Sequence, residues 1–269
     1  MTVRDYEKKD IEALTKLWKS AFGDPESFIS TFFEMLPDMG SCIVGEEDGQ
    51  IVAMASVIAG QELQYGGSIK KPVVGYIYAV AVDEAHRGKG YGEQISKAAY
   101  DLALRREATI VCTLPAGETL YDFYADTLGF ETALYRKKYE VKSDNSEMTM
   151  KLTATEYLMM KEGLLAGKSF LRLSPYAMRF FEVLCSSFGG GLYASMSGIC
   201  AAEKKDDTCI IYEMISQKPD ETAKSIAWTL GCEKAEYYLP CSEKDGGEKF
   251  IMADKGKIMS DAVWNIAYE

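Results

Sequence analysis

The chain has 269 residues, of which 47% are apolar, and its formal net charge at pH 7 is −11. This length and composition are typical of one or two globular domains with a substantial core. The acidic balance disfavours binding to a nucleic-acid backbone, so we expect no nucleic-acid partner. The chain contains one histidine, His86, which excludes a histidine-cluster metal site and disfavours a Ser–His–Asp hydrolase. We therefore expect no metal cofactor.

The seven cysteines are odd in number and include no Cys-x-x-Cys pair. This usage disfavours both a secreted disulfide framework and a zinc ribbon, and reduced thiols in a cytosol fit it best. The first ten residues, MTVRDYEKKD, are charged and carry no signal peptide. The apolar run at 51–60 is too short to span a bilayer. We expect a cytoplasmic protein without a membrane partner.

Strand-like and helical patterns alternate over the first 141 residues. Apolar residues recur at helical spacing in 10–22 and again after Pro25, and Asp48-Gly49 is a strong hairpin signal. We predict helices at 10–22, at 25–36, after residue 92 and at 118–128. We predict strands at 2–6, 41–45, 50–60, 73–82, 109–114 and 130–141.

The stretch 73–100 joins an apolar strand, a basic glycine-rich loop and a helix. Three glycines between residues 88 and 92 permit positive φ and a close approach of a ligand to the main chain. Because the loop opens a helix, unpaired N–H groups and the positive end of the helix dipole point into it. Arg87 and Lys89 add positive charge. The pattern predicts a phosphate or pyrophosphate site, and a glycine-rich turn without a ligand is the alternative.

The spelling of this loop separates the phosphate-binding families. The dinucleotide-binding motif Gly-x-Gly-x-x-Gly requires glycine at position 93, which is Glu93 here. The nucleoside-triphosphate loop requires Ser or Thr directly after its lysine, but Lys89 is followed by Gly90. Arg-Gly-x-Gly-x-Gly after a Val-x-Val-Asp strand end instead resembles the acetyl-CoA loop of the GNAT (general N-acetyltransferase) superfamily. The matching residues are Val80, Val82, Asp83, Arg87, Gly88, Gly90 and Gly92. The order of elements over 1–141 also resembles a GNAT domain, an α/β (α+β) fold with a mixed, mostly antiparallel sheet flanked by helices.

A second match to the family lies in 114–130. GNAT enzymes often carry Phe-Tyr and then Gly-Phe here, and the tyrosine commonly protonates the departing coenzyme A thiolate. Phe123, Tyr124, Gly129 and Phe130 match, but Tyr124 lies five residues before Gly129, where four is more usual. One extra residue rotates a helical side chain by about 100°, so Tyr121 is the second candidate for this catalytic role. A core aromatic with a satisfied hydroxyl is the alternative for both tyrosines.

The resemblance implies acetyl-CoA as the co-substrate and a primary amine that attacks the thioester directly. Backbone N–H groups of the loop would hold the pyrophosphate, and an N–H near Ala79 or Val80 would stabilise the thioester oxygen. In the family, the end of this strand also pairs with the pantetheine arm, in a cleft where the fourth and fifth strands splay apart. The residues thus assigned to cofactor binding are Val80, Ala81, Val82, Arg87, Gly88, Lys89, Gly90, Tyr91 and Gly92.

The group that takes the proton from the amine is not assigned by the sequence. Glu62, Glu84 and Glu118 are candidate bases, each also interpretable as a solvated surface charge, and a water chain remains equally open. Cys112 could carry a covalent acetyl relay, but a buried structural cysteine explains it better.

The acceptor itself is also open. Antibiotic amines, polyamines, amino acids and protein N-termini all remain candidates, and a helix-rich start followed by a second domain favours an enclosed pocket and a small-molecule amine. Phe28, Phe32 and Phe33 are interpreted as core, with the rim of an acceptor pocket as the alternative. Oligomeric state is open as well, with a homo-oligomer among the options.

The second part of the chain repeats this order of elements after a polar linker at 142–147. We predict helices at 154–165, 175–188 and 219–230, and strands at 191–195, 198–203, 208–215, 235–239 and 249–253. No Arg-Gly-x-Gly-x-Gly follows the strand at 208–215. The hypothesis is a degenerate GNAT-like repeat that lost cofactor binding and buttresses the first half. The predicted domains are an acetyl-CoA-binding GNAT domain, 1–141, and a second, smaller GNAT-like α/β domain, 148–269.

Two functions follow from this reading. The leading hypothesis is a cytosolic acetyl-CoA-dependent N-acetyltransferase. The alternative is a non-catalytic acyl-CoA-binding or sensing module in which the two halves form an interaction scaffold.

Overall fold

A computed structural model describes residues 1–66, 71–258 and 262–264. The chain forms two compact units. The first contains Met1–Glu62, Pro72–Thr132 and Met252–Ile258, and the second is formed mainly by Ala133–Ile251. The division into domains at residues 141 and 148 stays a prediction.

The first unit begins with a strand, two helices and three further strands. Its elements up to residue 132 are β1 (Thr2–Asp5), α1 (Ile11–Phe22), α2 (Glu26–Met39), β2 (Gly40–Glu47), β3 (Gln50–Gln64), β4 (Val73–Val82), α3 (Tyr91–Arg105), β5 (Ile110–Thr113), α4 (Glu118–Leu128) and β6 (Phe130–Thr132). Helix α1 buries Leu14, Leu17 and Trp18, which its helical spacing places on one face. It ends at Gly23, whose φ of 80° is readily adopted by glycine.

The second unit repeats the alternation of helices and strands. Its elements are β7 (Tyr135–Lys142), β8 (Thr149–Leu152), α5 (Ala154–Leu164), β9 (Phe170–Arg172), α6 (Pro175–Ser187), β10 (Gly191–Ser195), β11 (Gly198–Lys205), β12 (Thr208–Ser216), α7 (Pro219–Thr229), β13 (Lys234–Cys241) and β14 (Glu248–Lys249). One sheet of this unit has the strand order β14-β7-β13-β12-β11-β10-β8. Within it only β12 and β13 pair in parallel among the registers described.

The chain then returns to the first unit with a short strand, β15 (Met252–Asp254). The sheet of the first unit has the order β1-β2-β3-β4-β5-β15-β6. Strand β15 is antiparallel to both of its neighbours, with Met252 opposite Thr113 on one side and Thr132 on the other. The first unit therefore includes segments on both sides of Ala133–Ile251, the longest segment of the second unit.

The architecture confirms the predicted fold class, because both units contain mixed, mostly antiparallel sheets flanked by helices. The single strand predicted at 130–141 is wrong. The chain breaks at Ala133 and Leu134, whose N–H groups both donate to the carbonyl oxygen of Ile251, at 2.8 and 3.3 Å, so that β6 and β7 belong to different sheets. The strand predicted at 249–253 is divided in the same way, into β14 and β15, because Phe250 and Ile251 between them bond to this break.

All seven cysteines are free thiols, and six of them are buried. None of the helices in the described parts of the chain combines the length and apolar character that crossing a bilayer requires.

Candidate active site

The middle of the first sheet opens between β4 and β5. These strands pair in parallel only over Val74–Tyr76 and Ile110–Cys112, while β4 continues to Val82. At the point of divergence, the Thr113 hydroxyl donates to the Ile77 carbonyl oxygen at 3.0 Å. Among the described strands, the end of β4 therefore has a strand neighbour on its β3 side only.

A β-bulge lies within this end of β4, which pairs with β3 and has no partner on the β5 side among the described strands. The register against β3 shifts between the pairs Ser56–Tyr78 and Met54–Ala81, so β4 carries an extra residue. Ala79 takes up the irregularity with a φ of 51°, a left-handed conformation that costs a non-glycine residue roughly 1–2 kcal/mol. Bulges re-aim backbone groups, and this one lies where β4 leaves β5.

The glycine-rich loop follows β4 directly. Gly88 and Gly90 have φ of 78° and 76°, and a Cβ added at either would meet no atom within 4 Å. Backbone conformation, not packing, therefore requires glycine at both positions. Helix α3 begins at Tyr91, and its first intrahelical bond runs from the Gln94 N–H to the Gly90 carbonyl oxygen at 3.2 Å. The preceding N–H groups have no acceptor one turn back within the helix, so the loop fits a pyrophosphate.

Glu47, at the end of β2, contacts three side chains from this loop and the start of α3. Its carboxylate lies 3.0 Å from the Lys89 Nζ, accepts a hydrogen bond from the Tyr91 hydroxyl, and lies 3.4 Å from the His86 Nε2. The hydrogen bond from Tyr91 is the main cause that lowers the pKa of Glu47. Lys89, expected to face phosphate, is thus already paired. Arg87 is exposed, and its Nε lies 3.4 Å from the Val82 carbonyl oxygen.

Both candidate tyrosines lie on α4 and are buried in the same core cluster as Ile77. The Tyr124 side chain is 5% exposed and hydrogen-bonds to Thr113. Burial raises the pKa of Tyr124 to about 12. Tyr121 is 6% exposed. The structure therefore places Tyr124 at the opening between β4 and β5, through Thr113.

The remaining candidates lie in varied settings. Glu84 and Glu118 are exposed, and Glu62 is half-buried. Cys112 is fully buried, and burial raises the pKa of its thiol well above the usual range, which favours the structural role over an acetyl relay. Phe28, Phe32 and Phe33 are at most 4% exposed, as core residues are. In the described parts of the chain, no group of three or more His, Cys, Asp and Glu side chains could hold a metal ion.

Two residues of this region were not singled out from the sequence. Thr113 is a polar residue at the end of the apolar run Ile110–Thr113, and that position could have marked it. Glu47 carries no such signal, because its partners Lys89 and Tyr91 are 42 and 44 residues away in the chain.

Comparisons with known proteins identify the family of the first half of the chain and the fold of the whole. The model of the family described as "Acetyltransferase (GNAT) domain" matches residues 2–133. This match identifies residues 2–133 as a GNAT acetyltransferase domain, and the family supports acyl transfer.

Solved structures with the same fold cover nearly all of the chain. A GCN5-related N-acetyltransferase from Kribbella flavida has a TM-score of 0.66 at 14% identity, covering 94% of this chain and 71% of its own. A conserved protein from Enterococcus faecalis has a TM-score of 0.67 at 14% identity, covering 96% and 73%. Eis1 from Mycobacterium abscessus has a TM-score of 0.63 at 10% identity, covering 97% and 74%. No curated protein sequence shows a significant match to the chain.

Proposed function

We propose that the protein is a cytoplasmic, acetyl-CoA-dependent N-acetyltransferase that moves an acetyl group to a primary amine of a small molecule by direct attack. One observation carries the proposal: a glycine loop with two positive-φ glycines opens α3 beside the bulged end of β4, where β5 no longer pairs with it. An anion site next to a sheet opening suits a ligand with a pyrophosphate and an extended arm.

Backbone groups do most of the binding in this proposal. The N–H groups of the loop from Arg87 to Gly92 hold the pyrophosphate, and the exposed Arg87 guanidinium, which forms no salt bridge within the described part of the chain, adds positive charge beside it. The main chain of Val80, Ala81 and Val82 pairs with the pantetheine arm along the side of β4 that β5 leaves. The bound co-substrate supplies the acyl group as a thioester.

Two groups of this chain act on the reacting atoms. An N–H near Ala79 or Val80, aimed by the bulge, stabilises the thioester oxygen as it gains negative charge. Tyr124 gives its phenolic proton to the sulfur as the carbon–sulfur bond breaks, while the amine nitrogen forms its bond to the acyl carbon. Because its pKa is about 12, Tyr124 keeps that proton at neutral pH. We assign no protein base to the amine proton, which a water chain can remove.

The second unit is proposed to be a degenerate repeat of the first. It also contains a strand, β12, that pairs in parallel with the next strand over a few residues, here Thr208–Ile211 against Lys234–Tyr237. As in β4, the register of β12 then shifts against its antiparallel neighbour β11, where Ala202 lies opposite Ile211 and Ala201 lies opposite Glu213. Helix α7, however, begins with Pro219, and no glycine loop precedes it. We therefore expect one cofactor molecule per chain.

Calorimetry and a thiol-release assay test the proposal. We expect one coenzyme A to bind per chain, and we expect acetyl-CoA to release free thiol in the presence of at least one member of an amine panel. Tight binding with no thiol release across a broad panel would favour the non-catalytic acyl-CoA-binding module. A chain without affinity for coenzyme A would overturn the proposal.

A further inference from the structure

The returning strand β15 ends on a carboxylate that joins two elements of the candidate active site. The Asp254 Oδ2 accepts a hydrogen bond from the Val111 N–H of β5 at 2.8 Å. Its Oδ1 accepts one from the Tyr100 hydroxyl of α3 at 2.9 Å. The Asp254 side chain is only 11% exposed, so both bonds are largely shielded from water.

The bond to β5 replaces a rung of the sheet. Strands β15 and β5 pair at Met252–Thr113 and Ala253–Cys112, so Asp254 is the next residue and Val111 the next residue opposite. The side-chain carboxylate takes the N–H there, while the main chain of Asp254 stays in register with Phe130 of β6. A charge-assisted bond of this kind is shorter and stronger than an ordinary ladder bond.

The two hydrogen-bond partners of Asp254 belong to two different elements of the candidate site, β5 and α3. Val111 is two residues before Thr113, which bonds to both Ile77 and Tyr124. Tyr100 belongs to the helix whose N-terminus is the glycine loop. The Asp254 carboxylate therefore ties β5, whose Thr113 contacts the candidate acid Tyr124, to α3, whose N-terminus is the anion site.

Residues that follow Asp254 attach this end of β15 to the neighbouring strands. The Lys257 Nζ lies 3.2 Å from Asp254 Oδ2 and donates to the Thr109 carbonyl oxygen at 2.9 Å. The Gly256 N–H donates to Glu131 on the adjoining strand at 2.6 Å. Residues 254–257 are thus attached to both strands that flank β15.

We propose that Asp254 is a positioning residue for acyl transfer, which sets the place of Thr113 and Tyr124 relative to the glycine loop by tying β5 to α3. This inference rests on the proposed function. A misplacement of about 1 Å at a reacting group can cost 10²-fold in rate. The loop N–H groups belong to the N-terminus of α3 itself, so cofactor binding depends far less on the tie.

The test compares full-length variants in the thiol-release assay, with a melting curve for each. We expect Asp254→Ala to lower kcat by roughly 10- to 100-fold and to change KM for acetyl-CoA by less than about threefold. We expect Asp254→Asn to recover most of kcat, because a carboxamide can accept from Val111 and donate to Tyr100. The matched control is Asp101→Ala, which removes an exposed carboxylate beside Tyr100 on α3.

A second variant covers the case in which Asp254→Ala does not fold. Tyr100→Phe removes only the bond to α3, and we expect the same split, a lower kcat with KM retained. A kcat within about threefold of wild type for folded Asp254→Ala or Tyr100→Phe overturns this inference while the proposed function stands. A wild-type chain that releases no thiol overturns both.

Discussion

Tyr124→Phe is the most informative single change, because it separates chemistry from folding. A general acid contributes about 10²–10⁴-fold to a rate, so we expect kcat to fall by that factor, or about 3–5 kcal/mol of transition-state stabilisation. The folded state loses one hydrogen bond, worth about 1 kcal/mol. Thr113 is not left unpaired, because it keeps the Ile77 carbonyl oxygen at 3.0 Å. A steady-state thiol assay and a urea titration measure the two effects.

The pKa of Tyr124 adds a second measurement. Burial raises it from 10.0 to about 12 in the folded chain, so the phenol stays protonated through the usual assay range. Because the folded pKa is above the unfolded one, the stabilisation is complete below pH 10 and is lost as pH rises from 10 towards 12. The loss has a slope of about 1.4 kcal/mol per pH unit for this one group. We expect Tyr124→Phe to weaken the alkaline loss of stability between pH 10 and pH 12.

Tyr121→Phe is the matched control for this prediction, since both tyrosines lie on α4 and are buried. We expect it to retain kcat within about threefold while it loses a comparable amount of stability. If both variants keep wild-type kcat, the general-acid role is wrong. If only Tyr121→Phe is impaired, the acid has been assigned to the wrong residue of the pair.

Four further single substitutions test the loop and the second unit. Arg87→Ala should weaken coenzyme A binding about tenfold, or about 1.4 kcal/mol. Lys89→Ala should weaken it by less than about threefold, because the Lys89 Nζ is already 3.0 Å from a carboxylate. Equal losses of affinity for the two variants in calorimetry would contradict this. Gly90→Ala should lower stability by about 1–2 kcal/mol through its φ of 76°, and an unchanged melting temperature would speak against the left-handed conformation. Lys161→Met should lower the free energy of unfolding in urea by about 3–5 kcal/mol, because it leaves the carboxylate of Glu213, which is fully buried and 2.7 Å from the Lys161 Nζ, without its counter-charge. The double variant Lys161→Met with Glu213→Gln should recover part of that free energy. A single variant as stable as the wild type would refute the burial argument.

Local signals in the sequence account for the elements that were predicted well. The strand at 191–195 was predicted with the bounds that the structure gives, Gly191–Ser195, and the helix at 118–128 matches Glu118–Leu128. Each is short, has a clear apolar pattern and ends near a turn residue or a glycine such as Gly129, whose φ is 70°. Patterns of this kind act over one or two turns of chain, so the sequence displays them directly.

Contacts between distant residues account for what was missed. The three residues of β15, Met-Ala-Asp, have no strand-like alternation, and their place between β5 and β6 depends on pairing partners more than a hundred positions away. The break at Ala133 has no glycine or proline to mark it, and Ile251 is its hydrogen-bond partner. In the sequence Glu47 cannot be distinguished from other surface carboxylates, and only the fold places it 3.0 Å from Lys89. Sequence reasoning located the loop and the tyrosines, while the groups that hold them required the tertiary structure.

The late position of β15 also affects the order in which the chain can fold as it is synthesised. Every strand of the sheet that runs from β14 to β8 lies before residue 250, so a growing polypeptide contains that sheet in full before Met252 leaves the ribosome. The first sheet, by contrast, lacks β15 from the synthesis of Thr132 until that of Met252, an interval on the order of ten seconds at about 5–20 residues per second. During that time β5 and β6 have open edges, which are sites of aggregation. Premature termination just before residue 252 would release a polypeptide with an intact second sheet and an incomplete first one.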